Sequence, residues 1–158
     1  MQRLNEQLDE RVRERTAALA AEIEERKVLA RKIDLLLESA GEGIYGVDSE
    51  GRCSFINRAG ARMLGYEAGD IVGQAMHELI HHHRADGAAY PADDCPIHRA
   101  LRTGEAYNGD SETFCRRDGS SFPVHCSSYP VSDGGVLKGA VVVFADITEK
   151  KKLEMQSL

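Results

Sequence analysis

The stretch "GEGIYGVDSEGRCSFINRAGARMLGY", residues 41–66, decides how the rest of the chain is read. Upstream of it apolar residues recur with a helical period, and from Ile44 onward they alternate. Ile44 to Asp48 and Arg52 to Asn57 read as two strands joined by the turn Asp48-Ser49-Glu50-Gly51. Alternation bounded by Asp, Ser and Gly is the signature of a half-buried hairpin. Arg58 to Leu64 then reads as a short helix stopped by Gly65, with Asn57 as its cap.

Toward the C-terminus, Glu67 to Asp70 reads as a single turn and Val72 to His82 as a second helical stretch. Asp93 to Thr103 is a third, ended by Gly104, with Asp93 or Asp94 as N-cap and Pro96 in its first turn. Three strands complete the pattern. Asp110 to Arg117 and Ser121 to Val131 meet at Asp118-Gly119, and Val136 to Ile147 follows Asp133-Gly134-Gly135. Phe122, Val124 and Cys126 share one face of the middle strand, and Val136, Ala140, Val142 and Phe144 one face of the last. This order predicts an α+β fold, one antiparallel sheet of about five strands with short helices on one side.

Toward the N-terminus, residues 1–40 contain neither Gly nor Pro and are rich in Glu, Arg, Leu and Ala, which predicts one long helix. Its apolar ladder is Leu4, Leu8, Val12, Thr16, Leu19, Ile23, Arg26 or Lys27, Ala30, Ile33 and Leu37. The mean step of about 3.67 residues fits an 11-residue repeat and a nearly straight or weakly right-handed coil. So small a domain offers the stripe no cover, so a parallel homodimer through Leu4, Leu8, Val12, Leu19, Ile23, Ile33 and Leu37 is expected. The alternative is a solvated helix packed on its own domain, for which Thr16 and the basic rung speak.

At 158 residues, 42% hydrophobic and 29% charged, the chain suits one folded domain with an appendage. It has neither a signal-peptide core nor an apolar run near the roughly 20 residues that cross a bilayer. A cytoplasmic segment is expected, with any membrane anchor belonging to a parent protein. The net charge is −6, and residues 41–146 hold 15 acidic against 9 basic side chains, which argues against a nucleic-acid partner. Cys53, Cys95, Cys115 and Cys126 form no CxxC pair and read as free thiols in a reducing compartment. No Ser/His/Asp arrangement, phosphate loop or paired-carboxylate motif stands out, so the chain reads as a non-enzyme.

From about Leu35 to Lys150 the chain resembles the PAS domains of bacterial sensory proteins. The resemblance rests on residues 41–66 together with "IVGQ" (71–74), "ALRTGE" (100–105), "RRDGSSFPV" (116–124) and "GAVVVFADITEKKKLE" (139–154), in the family's order and spacing. It implies a coiled-coil signalling helix at 1–40, a sensory domain at 41–148 and the start of an output helix at 149–158. Asp146, Ile147 and Thr148 resemble the exit motif that relays the signal. The implied role is sensing, or dimerisation alone, passed to an output absent here, such as a histidine kinase or a cyclic-di-GMP enzyme.

Within that frame, residues 77–98, "HELIHHHRADGAAYPADDCPIH", hold five of the six histidines and one cysteine. His77 and His81 are four apart on one helix face, the spacing of a two-imidazole metal clamp, whereas His82 points elsewhere. A third ligand is available from His83 or, across the loop, from Cys95. His77-Glu78-Leu79-Ile80-His81 meets the HExxH spacing, but a short helix beside a loop is a poor setting for a zinc protease. Family members that bind b-type haem carry their histidine where this chain has Asp93-Asp94, leaving His98 or Cys95 as the haem candidate. The bland reading is a partly solvated helix end, where the histidines can also report pH.

Cys53 in "GRCSFIN" (51–57) lies on a strand, the wrong element for the flavin adduct of light-sensing relatives, while non-covalent flavin stays open. Asp86-Gly87 marks a turn. Cys115 and Cys126 read as packing residues, since nothing nearby lowers a thiol pKa. Phe55, Ile71, Met76, Leu79, Ile80, Ile97, Leu101, Val124, Val142 and Phe144 are expected between sheet and helices, as core or as the lining of a small apolar pocket. No cofactor, a small organic ligand, and haem or a metal ion all remain open from the residues alone.

Overall fold

A computed structural model describes residues 2–156. The chain divides into two units, one up to Leu36 and the other from Leu37 onward. The first unit is helix. α1 runs Gln2–Ser39, has no buried residue, and carries an exposed Arg26–Glu22 pair one turn apart at 2.7 Å. Leu4, Leu8, Val12, Leu19, Ile23 and Ile33 of the apolar ladder are all exposed, and Leu37 is half-buried. No described helix is long and apolar enough to cross a membrane.

The second unit is built on five antiparallel strands, β1 Glu42–Asp48, β2 Cys53–Ile56, β3 Tyr107–Cys115, β4 Ser121–Asp133 and β5 Val136–Asp146. They lie in the order β2-β1-β5-β4-β3. The helices fall between β2 and β3: α2 Arg58–Leu64, α3 Ala68–Ile71, α4 Met76–Ile80 and α5 Pro96–Thr103, with a short 3-10 turn at Ala92–Asp94. α6, Thr148–Gln156, follows the last strand. The fold is therefore the expected α+β sheet with its helices between the second and third strands.

Local chemistry explains the elements. In the β1–β2 turn, Asp48 Oδ1 accepts from the backbone N–H of Glu50 at 2.9 Å and of Arg52 at 3.0 Å. Asn57 caps α2 through Gly60 N–H at 2.9 Å and, with the same oxygen, accepts from Ile44 N–H of β1, also at 2.9 Å. The expected cap is thus also a clamp between helix and sheet. Gly43 permits that closeness, because a Cβ there would sit 2.7 Å from the Gly60 Cα and 2.5 Å from the Phe144 ring.

The core between sheet and helices is led by Tyr45, Leu64, Ile71, Ile80, Phe114, Phe122, Val124, Val142 and Phe144. Phe144 packs edge-on against Phe114 at 5.3 Å and at a tilt against Tyr45 at 5.8 Å between ring centroids. Burying such rings is the main apolar contribution to stability.

Several boundaries differ from the expected ones. The helix expected over Val72–His82 is only Met76–Ile80, because Gly73 has φ +91° and residues 73 and 74 bond to β2 instead. Gly73 N–H donates to the Cys53 carbonyl at 2.8 Å, and Cys53 N–H to the Gln74 carbonyl at 2.9 Å. Asp93 and Asp94 lie in the 3-10 turn, and Cys95 takes the N-cap position before Pro96. β3 begins earlier than expected, at Tyr107. Val136 is exposed at the start of β5 rather than sharing the buried face of Ala140, Val142 and Phe144.

Phe55 is the largest departure, lying 45% exposed with its ring over Gly46 on the sheet's other face. A register irregularity between Gly46 and Val47 inserts an extra residue into β2. The slip keeps Cys53 inward and turns Phe55 outward, since one residue of offset exchanges the two faces.

Candidate metal centre

α4 places His77 in its single turn and His81 at its C-cap, while α5 begins immediately after Cys95. Between them the chain folds back through a turn at Gly87, whose φ is +86°. Arg84 N–H donates to the Ala88 carbonyl at 2.8 Å and Tyr90 N–H to the His82 carbonyl at 2.9 Å, so the expected Asp86-Gly87 turn forms. This return delivers Cys95 Sγ to 3.1 Å from His81 Nδ1. Among the described residues, His77, His81 and Cys95 each offer one ligand atom within 4.8 Å of the others.

The outer edges of both imidazoles are occupied. His77 Nε2–H donates to the Tyr90 carbonyl at 2.7 Å, and His81 Nε2–H to the Glu112 carboxylate at 2.8 Å. The Tyr90 hydroxyl donates to the other Glu112 oxygen at 3.2 Å. Glu112 reaches this place from β3, where the pairing with β4 slips between Gly109 and Glu112. The inner nitrogen of His77, Nδ1, is buried without a hydrogen bond of good geometry, and Cys95 is the group that acts on this ring from inside.

Burial would push the Cys95 thiol up, but the imidazoles of His77 and His81 beside it outweigh burial and bring it down to about 6. Burial likewise opposes charge on His81, and Cys95 and Glu112 together overcome it, raising the ring to about 9. Burial would raise Glu112 too, yet His81 and the Tyr90 hydroxyl hold it below the usual carboxylate range. Cys95, His81 and Glu112 are thus linked thiol to imidazole to carboxylate within the core, each offsetting its neighbour's burial. By contrast, burial takes Cys53 up to about 11 and Cys126 up to about 12.

Beside the cluster lies a cavity of about 30 Å³, bordered by Tyr45, Val47, Met76, Ile97, His98 and Leu101 among others. That is room for one or two water-sized groups. Drug-sized ligands occupy roughly ten times as much, and haem or flavin rings are no smaller. Of the expected lining residues, Met76, Ile97 and Leu101 border this cavity. Ile71, Ile80, Val124, Val142 and Phe144 are buried in the core, Leu79 packs against it, and Phe55 is on the far face.

His82 and His83 are exposed on the loop and touch each other, away from the cluster. His98 is half-buried at the cavity edge, its ring 6.3 Å from that of His77. Tyr90 and Glu112 did not emerge from the sequence. Glu112 had a signal, because it shares strand parity with Phe114 and a core-facing carboxylate demands a partner.

The chain belongs to the PAS family, since the profile of the PAS fold matches residues 31–147. It is 28% identical over 127 residues to the probable diguanylate cyclase DgcE of Escherichia coli K12, covering 79% of this chain and 11% of that protein. It is 26% identical over 121 residues to the signal transduction histidine-protein kinase AtoS of the same organism, covering 77% of this chain and 19% of that protein. The chain therefore spans a small fraction of both relatives. In fold it is similar to the PAS domain of a Colwellia psychrerythraea protein, at a TM-score of 0.58 and 15% identity, covering 77% of this chain and 98% of that one.

Proposed function

We propose that this chain is a sensory input and dimerisation module that relays a signal through its flanking helices to an output domain of a longer protein. The observation that carries this reading is the pairing of Glu42, the first residue of β1, with Ala145, next to the end of β5. The chain thus enters and leaves the sheet at the same end of two paired inner strands. A shift of β5 against β1 moves the exit relative to the entry.

The exit itself is tied to the sheet. Asp146 Oδ1 accepts from Thr148 N–H at 2.9 Å and from the Thr148 hydroxyl at 2.5 Å. Its other oxygen meets Arg116 at 3.4 Å, and Ile147, buried, donates its N–H to the Pro123 carbonyl at 3.0 Å. The exposed ladder of α1 supports dimerisation through that helix, because an apolar stripe of this length gains by covering itself with a second copy. The relatives' descriptions support an output of the diguanylate cyclase or histidine kinase kind. A signal acts on such a relay only by stabilising one β5 arrangement over the other.

Two experiments test the reading. Sedimentation velocity of the 158-residue chain should give a dimer, and removal of residues 1–34 a monomer. A monomeric intact chain, or a dimeric truncated one, would reject the helix as the interface. In the full-length protein, Asp146→Ala should uncouple output from signal, and an unchanged response would reject the relay.

A further inference from the structure

We infer that His77, His81 and Cys95 form a three-ligand site for one borderline-soft transition-metal ion of the Zn2+ kind, its fourth position open to the adjoining cavity. Two imidazoles and a thiolate are a donor set such ions prefer over the hard cations. The donors are also oriented. Each histidine donates its Nε2–H outward, His77 to the Tyr90 carbonyl and His81 to the Glu112 carboxylate, and this leaves both Nδ1 atoms for the interior. Metal-ligating histidines are characteristically held in this way, by a carbonyl or a carboxylate on the other nitrogen.

A second observation points inward as well. His77 Nδ1 is buried without a hydrogen bond of good geometry, with Cys95 its neighbour, while the Nε2 of the same ring is occupied. With the proton on Nε2, Nδ1 presents a buried lone pair that is poorly satisfied, and an ion between it, His81 Nδ1 and Cys95 Sγ supplies a better partner. The spacing suits this. Zinc bonds of about 2.0–2.3 Å arranged tetrahedrally put neighbouring ligand atoms roughly 3.5 Å apart. The His81 Nδ1–Cys95 Sγ pair, 3.1 Å apart, would open slightly, while the three ligand atoms already lie within 4.8 Å of one another, so only small movements are needed.

Charge and room agree. The thiolate of Cys95 and the carboxylate of Glu112 together neutralise a divalent ion, so the core takes in no net charge. The cavity of about 30 Å³ accommodates a water or a similarly small molecule as fourth ligand. Glu112 and Tyr90 are positioning residues, acting through the imidazole and its partner. The exposed pair His82 and His83 takes no part.

The inference stands apart from the helical relay, because ion binding is read on this chain without an output domain. The chelator-stripped chain is titrated with Zn2+ by calorimetry and with Co2+ by absorption. One ion per chain and a thiolate-to-cobalt charge-transfer band are expected. Cys95→Ser should abolish the band, and His77→Gln should weaken binding while leaving the Cys95–His81–Glu112 chain intact, so a folding failure in the first variant does not blunt the second. Glu112→Gln should weaken Zn2+ about 10–100-fold, and His82→Ala with His83→Ala should change nothing. The site is overturned if Co2+ gives no band, if binding survives both Cys95→Ser and His77→Gln, or if it disappears with the exposed pair.

Discussion

The β1–β5 seam and the corner between α4, α5 and β3 are two halves of one core built from different materials. At the seam, contact is backbone ladder, glycine and aromatic ring: Gly43 pairs with Phe144, and Gly60 of α2 rests against Gly43. At the corner it is imidazole, thiol, phenol and carboxylate, with His81 and Glu112 both buried. Apolar contact stabilises without direction, whereas a buried polar cluster repays its desolvation only while every member keeps its partner. The seam therefore holds the domain together. The corner is the part of the core that stability alone does not require, and departures of that sort from a plain apolar interior concentrate at functional sites.

The most severe break should come at the seam. Phe144→Ala removes the ring shared by Tyr45 and Phe114 and should cost about 3–5 kcal/mol, read from chemical denaturation. A loss under about 1 kcal/mol would show that the seam does not carry the core. Gly43→Ala comes next, at about 1–3 kcal/mol, because its methyl would press on the Gly60 backbone and the Phe144 ring together. A neutral outcome would mean that α2 can lift off the sheet freely.

The corner should answer differently. Glu112→Leu leaves His81 Nε2 without its acceptor and should cost about 1–3 kcal/mol, whereas adding His81→Leu should recover most of that loss. A double-mutant cycle reads the coupling, and additive losses would contradict a cluster held by its internal hydrogen bonds. The smallest effect belongs to the exit. Asp146→Ala should cost about 1 kcal/mol, confined to faster amide exchange in the first turn of α6, since it removes a side-chain cap from an exposed helix. Faster exchange throughout β5 would instead show that Asp146 holds the whole strand and not only the exit.

Much of the scaffold was legible because it depends on near neighbours. Asn57 announced its cap, Asp48 its turn, and the alternation of β4 its buried face of Phe122, Val124 and Cys126. The two main departures come from backbone pairing between segments distant in sequence. A single extra residue in β2 sent Phe55 to the outer face, and backbone bonds to Cys53 shortened the helix around His77. The candidate site was half legible: the spacing of His77 and His81 singled them out, while the parity of Glu112 marked it as core-facing but not which groups it meets, and Tyr90 gave no local sign.

By itself, the sequence determined the periods and therefore the elements, the α+β order, the long helix with its apolar ladder, and the segment in which imidazoles and a thiol gather. Only the tertiary structure decided that Cys95, not His83, meets the histidine pair, and that Glu112 closes behind it from a strand 31 residues away from His81. Helical and strand periods are set by sterics over a few residues, so they can be read locally. Which side chains meet in the core depends on the slip of a ladder and the closure of a loop, and those are settled only when the whole sheet and its helices pack.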